Sequence, residues 1–293
     1  MTGEALSSTV FDIHPHIVST DTARYPPAPL GGKRSDWSQH HSVDFPHLLA
    51  DMDEAGIAKA AIVHSSTTYG FDNAYVADAI ADHRDRFTGV FSVDVAAPDA
   101  PERIRYWVGR GLSGLRLFAA GSTVSGSQAW IADPATYPAW ACCAELDLTV
   151  AISMRQDGLP HLADVMTRFP TVRIVLDHLL HAPINDGPPY AAAAPLFGMA
   201  RFPNLYLKLT SAIVRRTHEA PATPESFFGK LKAEFGSDRI AWGSNYPAVD
   251  GRLKDLVTEA RTTLAVLPAV DQENILWRTA AKLYPALADR STG

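Results

Sequence analysis

Short apolar or β-branched runs recur along the chain, and stretches with helical spacing of apolar residues separate them. Runs of this length and composition are typical of strands buried on both faces, as in parallel sheets. Eight of them predict strands: TVFDIHPHIV, KAAIVHSS, FTGVFSVDV, LSGLRLF, LTVAISM, VRIVLDHLL, NLYLKLTS and RIAWGSNYP.

Amphipathic segments between the strands predict helices, and several end at Gly or begin just after Pro or Asp. They are FPHLLADMDEAG, AYVADAIADH, PERIRYWVGRG, YPAWACCAEL, LPHLADVMTRFP, PYAAAAPLFGMARF and ESFFGKLKAEFG. Two more, RLKDLVTEARTTLAV and DQENILWRTAAKLY, close the chain and predict an extra C-terminal helix. Eight strand–helix units in 293 residues favour an α/β fold, a (β/α)₈ TIM barrel, formed by residues 1–293 as one domain.

One connection is much longer than the others. The segment Ser19–Val43, rich in Pro, Gly, Ser and Asp, follows the first strand. Long connections in compact domains are usually functional, and this one leaves the barrel end that carries active sites. We interpret it as a lid; the alternative is a surface excursion packed by its own Tyr25 and Trp37.

Charge and composition narrow the class of partner. The net charge is -6, and no Lys/Arg cluster is longer than a pair, which argues against a nucleic-acid or anionic-membrane surface. The N-terminus has neither a basic segment nor an apolar stretch, so we expect a cytoplasmic protein without a membrane anchor. The adjacent Cys142 and Cys143 are interpreted as helix packing. A small molecule is the expected partner, and homo-oligomerisation is left open.

Polar side chains collect where the predicted strands end, and in a barrel these ends share one mouth. Because side chains alternate along a strand, His14 and His16 share a face, whereas Asp177 points away from His178. The residues expected at the mouth include His14, His16, His64, Ser66, Arg116, Arg155, His178, Lys208, Asn245 and Tyr246.

Three of these residues are cations in an acidic protein. Arg116, Arg155 and Lys208 would suit an organic anion, because guanidinium and ammonium groups pair with carboxylates. The alternative is that some of them pair with aspartates inside the barrel. His64 is a reserve base or a packed core histidine, and Ser66 and Tyr246 are expected to contact the substrate.

Five motifs together resemble the amidohydrolase superfamily: FDIHPHI, GLRLF, VLDHLLHAP, LYLKLTS and WGSNYP. The nearer match is the amidohydrolase-2 branch, which includes 2-pyrone-4,6-dicarboxylate lactonase and related lactonases. The resemblance runs from about Phe11 to Tyr284 and implies a distorted TIM barrel with its site on the C-terminal face. It also implies that His14, His16, His178 and Asn245 occupy site positions.

Two departures from the family pattern bear on the chemistry. Metal-using relatives carry a histidine after strand five and an aspartate after strand eight, whereas this chain has AISMRQ and Asn245. The sequence therefore favours a site without a metal; a divalent ion such as zinc, if held, would have His14, His16 and His178 as ligands. Asn245 cannot accept a proton near neutral pH, which leaves His178 as the predicted base.

Three functions stay open on this basis. The first is a metal-independent hydrolase of a small carboxylated lactone, in the catabolism of an aromatic or sugar acid. The second is a metal-dependent decarboxylase or hydratase of a related unsaturated acid. The third is a non-catalytic anion-binding protein on the same barrel.

Overall fold

Eight parallel strands form the centre of the molecule, in a computed structural model that describes residues 9–288. Residues 1–8, which include most of the N-terminal segment considered above, and residues 289–293 lie outside the described part. Neighbours in sequence are neighbours in the sheet. The strands are β1 (Phe11–Asp12), β2 (Lys59–Val63), β3 (Phe87–Phe91), β4 (Gly114–Phe118), β5 (Thr149–Ser153), β6 (Ile174–Leu176), β7 (Leu205–Thr210) and β8 (Ile240–Gly243).

The sheet closes where β8 meets the chain that follows β1. The Ile13 backbone N–H donates to the Trp242 carbonyl at 3.4 Å. The buried Asp12 Oδ1 accepts the backbone N–H groups of His14 (2.9 Å) and Ser244 (2.8 Å), so one carboxylate joins the first and last strands. Gly243 makes this approach feasible, since a Cβ there would lie 2.7 Å from the His14 Cβ. The predicted barrel is confirmed.

Helices cover the outside of the barrel. Among the described residues, none of them combines the length and the apolar character that crossing a bilayer needs. They are α1 (Asp36–His40), α2 (Phe45–Ala55), α3 (Ser66–Tyr69), α4 (Ala74–Ala79), α5 (Ala100–Gly109), α6 (Tyr137–Glu145), α7 (Leu159–Arg168), α8 (Ala194–Gly198), α9 (Ser211–Arg216), α10 (Pro224–Phe235), α11 (Leu253–Leu264), α12 (Ala269–Glu273) and α13 (Thr279–Leu283).

The last helical segments close the N-terminal end of the barrel. A π-helical turn, Asn274–Arg278, connects α12 to α13. The buried Leu283 and Tyr284 then pack against inward-facing strand residues such as Ile13 and Val175. The additional C-terminal helix therefore seals the end opposite to the one where the strand C-termini, and the polar residues, are found.

The first strand is shorter than the sequence predicts, and the long connection that follows it is partly helical. The run TVFDIHPHIV pairs as a strand only over Phe11–Asp12. Pro15, which lacks a backbone N–H, lies in the part that leaves the ladder. The long connection also has structure of its own, the short helix α1, and its Trp37 side chain stacks on His16.

Candidate active site

His14 and His16 lie side by side on the extended chain after β1, at the C-terminal end of the barrel. Their ring centroids are 4.9 Å apart and the rings are nearly perpendicular. Both side chains are buried. Neither ring nitrogen of His14 has a hydrogen-bond partner among the described residues. The predicted shared face of this pair is therefore present.

The backbone after β6 forms a left-handed turn. His178, Leu179, Leu180 and His181 have φ between 46° and 58°, a region that costs most L-residues about 1 kcal/mol or more each. Because the strand ends at Leu176, strand alternation no longer applies beyond it. The prediction that Asp177 points away from His178 was wrong: the His14, Asp177 and His178 ligand atoms lie within 4.8 Å of one another.

Two cations share the Asp177 carboxylate. Lys208 Nζ lies 2.8 Å from Oδ1, and Arg116 Nε donates to Oδ2 at 3.0 Å. All three side chains are buried. Because both partners are cations, they hold the pKa of Asp177 well below its usual range despite its burial. His14 Nδ1 lies 3.6 Å from the same carboxylate.

The imidazoles of this cluster are neutral at physiological pH. Burial, with the nearby cations, lowers the pKa of His16 and of His178 to about 3, and lowers that of His14 well below its ordinary value. His16 Nδ1 lies 2.8 Å from the Val63 carbonyl oxygen, which can only accept. Nδ1 therefore carries the proton, and Nε2 of the neutral ring is left as a hydrogen-bond acceptor.

His16, Arg116 and His178 border a cavity of about 260 Å³ at the barrel mouth, which we call the mouth cavity, whereas His14 is not among its lining residues. Its volume is suited to a small molecule rather than a polymer. Asn245 reaches it from the turn after β8, where its φ is 59°, a conformation that Asn tolerates better than most residues. The lining includes His16, Trp37, Ser66, Arg116, His178 and Asn245.

Two residues named from the sequence lie away from the mouth cavity. The side chain of Arg155 is 48% exposed, donates to the Gly126 carbonyl at 3.1 Å and pairs with Asp157. Tyr246 donates its hydroxyl to Oδ2 of Asp51, a residue of α2, at 2.7 Å. Neither residue is among those that line the mouth cavity.

Two other named residues are present at the mouth end but buried behind it. Lys208 is fully buried in its ion pair with Asp177, which is the alternative considered above. His64 is fully buried too, and its Nε2 lies 2.9 Å from the Gly70 carbonyl oxygen. The polar groups of Lys208 and His64 therefore bind other residues of the protein and do not line the mouth cavity. Ser66, by contrast, lines the mouth cavity, with its Oγ 2.9 Å from Ser92 Oγ.

Sequence reasoning missed two contacts that orient the site. Trp37 stacks on His16 with centroids 5.0 Å apart and an interplanar angle of 25°. Thr210, the last residue of β7, places its Oγ1 3.1 Å from His178 Nδ1. A Thr at the end of a strand does not by itself indicate a contact with a site histidine. The contact between Thr210 and His178 appears only when β6 and β7 lie side by side.

His14, Asp177 and His178 form a three-donor cluster of the kind that can hold a metal ion. The surroundings fit a dication poorly, however. Asp177 is the one carboxylate of the three, and both of its oxygens already face a cation, Lys208 or Arg116. A divalent ion would be repelled by two neighbouring positive charges, whereas an anion would be attracted.

Two known proteins resemble the chain over two thirds or more of its length. L-fucono-1,5-lactonase of Burkholderia ambifaria is 27% identical over 245 residues, which are 80% of this chain and 79% of that protein. 4-Sulfomuconolactone hydrolase of Rhizobium radiobacter is 26% identical over 208 residues, 68% of this chain and 64% of that protein.

Solved structures share the fold. A putative 2-pyrone-4,6-dicarboxylic acid hydrolase from Pseudomonas putida superposes with a TM-score of 0.77 at 18% identity, covering 97% of this chain and all of that one. An amidohydrolase from Burkholderia multivorans with bound zinc gives a TM-score of 0.75 at 19% identity, covering 94% of this chain and 99% of that one.

The family comparison agrees with the barrel and with the residues gathered at its mouth. The family model described as amidohydrolase matches residues 11–286, which include every strand and all the site residues above. The chain is therefore an enzyme that belongs to the amidohydrolase family.

Proposed function

We propose that this enzyme hydrolyses a small carboxylated lactone without a metal ion, in the catabolism of an aromatic or sugar acid. The observation that carries the proposal is the buried cluster of neutral imidazoles beside Arg116 at the mouth cavity. The two lactone-hydrolysing relatives support it. The buried free cysteines, Cys142 and Cys143, are in keeping with a cytoplasmic setting.

Arg116 is the proposed anchor for the substrate carboxylate. Its Nε is committed to Asp177, and no hydrogen bond occupies its two Nη nitrogens within residues 9–288. A guanidinium fixed on one edge can present its other edge to an anion with little loss of side-chain entropy. The Arg116 side chain is therefore already ordered in the free enzyme, and binding does not have to fix it.

His178 is the proposed general base. Thr210 faces its Nδ1, which leaves Nε2 for the site. Burial, with a smaller contribution from the nearby cations, lowers the resting pKa of His178 to about 3. A bound carboxylate and a developing oxyanion add negative charge nearby, and both raise the proton affinity of the ring during the reaction.

The proposed reaction adds one water molecule to the lactone and needs no other reactant. Water attacks the ring carbonyl carbon while His178 removes one of its protons. His16 Nε2, an acceptor, can take the hydrogen bond of the other proton, and Asn245 can orient the water through its amide. The tetrahedral intermediate then breaks the ring C–O bond, and His178 returns the proton to the leaving oxygen, giving a hydroxy acid.

We expect the Arg116→Ala variant chiefly to raise the Michaelis constant of a carboxylated lactone, by roughly 10- to 100-fold, as loss of a charged hydrogen bond predicts. Steady-state kinetics with a carboxylated lactone and its methyl ester provide the check, because the ester should be far less sensitive. Since Arg116 also pairs with Asp177, the variant is first compared with the native protein by thermal unfolding. An unchanged Michaelis constant for the acid would remove Arg116 from substrate binding.

The second candidate is a metal-dependent decarboxylase or hydratase, favoured by the three-donor cluster His14, Asp177 and His178. A lactone panel and a panel of unsaturated carboxylic acids, assayed on the purified enzyme before and after chelation, distinguish the two. We expect lactone turnover that survives chelation and less than stoichiometric metal by elemental analysis. Stoichiometric zinc, with acid decarboxylation lost on chelation, would favour the second candidate.

A further inference from the structure

A second and larger cavity, of about 540 Å³, lies beside the mouth cavity. We call it the side cavity. Its walls come from the connection after β1 (Leu30), the chain after β3 (Val95, Ala96) and the loop after β4 (Val124, Trp130). These loops lie at the same end of the barrel as the candidate site.

The two cavities share a wall. Arg116 and Phe118, both on β4, line each of them. The Arg116 guanidinium lies over the Phe118 ring, 4.9 Å from its centroid. With Nε bonded to Asp177, the guanidinium stands at the junction. A molecule whose carboxylate binds Arg116 therefore has two directions in which the rest of it can extend.

The side cavity offers an apolar environment. Most of its lining residues are apolar, and two of the polar ones are bonded to the protein: Ser92 Oγ lies 2.9 Å from Ser66 Oγ, and Thr123 Oγ1 donates to the Leu30 carbonyl. Apart from Arg116, this leaves Asp94 and Ser125, which are few polar side chains for the several hydroxyl groups of a sugar. An apolar substituent, by contrast, can be buried there without any hydrogen-bond partner.

We propose that the side cavity receives an apolar substituent of the substrate, whose carboxylate pairs with Arg116 and whose lactone ring occupies the mouth cavity. The substrate class is then a carboxylated lactone with an aryl or alkyl branch rather than a polyhydroxylated sugar lactone. This inference rests on the proposed function, because it assigns a second part of the same substrate.

The kinetic test compares two carboxylated lactones that differ only in a benzyl branch. In the native enzyme we expect kcat/KM to be at least about tenfold higher for the branched compound, the scale set by a filled apolar pocket. Ala96→Phe and Val124→Trp each place a larger side chain in the side cavity. Two variants are used so that the test remains possible if one of them does not fold. Both should abolish the preference and leave the unbranched lactone unaffected. Thr258→Phe, which places a phenyl ring in an outer-helix cavity beside Val214, is the matched control.

A binding measurement separates this inference from the proposed function. Titration with 3-phenylpropionate and with propionate, followed by tryptophan fluorescence, needs no turnover. Tighter binding of the phenyl compound to the native protein, lost in Ala96→Phe and Val124→Trp and kept in Thr258→Phe, supports the side cavity even if no lactone is hydrolysed. Equal affinities, binding of neither acid, or a preference that survives both fillings would overturn it.

Discussion

The His178→Ala variant is expected to lower the turnover number for a carboxylated lactone by at least about 100-fold, as removal of a general base typically does. His178 lines the mouth cavity, and Thr210 faces its Nδ1 at 3.1 Å. Stopped-flow or steady-state assays at saturating substrate measure the effect on turnover itself.

His181→Ala is the matched control for that experiment. His181 stacks on His178 with centroids 4.8 Å apart and also lines the mouth cavity, but the residue is exposed whereas His178 is buried. We expect a small change in turnover, because the variant removes the stacking contact and not the ring that accepts the proton. Near-native turnover in His178→Ala, or equal losses in the two variants, would contradict the role assigned to His178.

The Asp177→Asn variant is expected to destabilise the protein by about 3–5 kcal/mol, the usual cost of leaving a buried charge without its partner. Lys208 is fully buried and lies 2.8 Å from Asp177, and Arg116 is nearly as buried. Removing the carboxylate leaves both cations close together in the barrel. Urea unfolding followed by circular dichroism measures the loss in the free energy of unfolding.

Two further variants make this stability test decisive. Asp53→Asn removes a carboxylate that is 62% exposed and bonded to Arg86, and it should cost no more than about 1 kcal/mol. Adding Lys208→Met to Asp177→Asn removes one of the stranded charges, so the pair should recover part of the lost stability. A cost below that of Asp53→Asn, or no recovery in the double variant, would show that the buried cluster does not depend on Asp177.

Much of the barrel could be predicted from the sequence because local chemistry decides it. β2 to β8 all lie within the predicted runs, since short β-branched segments between amphipathic helices bury both faces only in a parallel sheet. The first run was overestimated, because its apolar pattern continues past the point where strand pairing stops. Periodicity reports which residues are buried; hydrogen bonding determines where a ladder ends.

The candidate site was predictable in its composition and less so in its geometry. The expected gathering of His16, Arg116, His178 and Asn245 agrees with the lining of the mouth cavity. The orientation of Asp177 was wrong, because the left-handed turn after β6 reverses the direction that strand alternation implies. No pattern of residue types indicates four consecutive positive φ values, which the surrounding barrel must impose.

The sequence by itself determined the alternation of strands and helices, the end of the barrel where polar groups meet, and the supply of histidines and cations there. These follow from side-chain chemistry and chain order. Only the tertiary structure decided which cations are neutralised, since Lys208 and Arg116 reach Asp177 across strands that are distant in sequence. It also decided that Arg155 and Tyr246 lie outside the mouth cavity and that a second cavity adjoins it. Cavity volumes and ion pairs depend on distances between segments that are far apart in sequence, and only folding sets these distances.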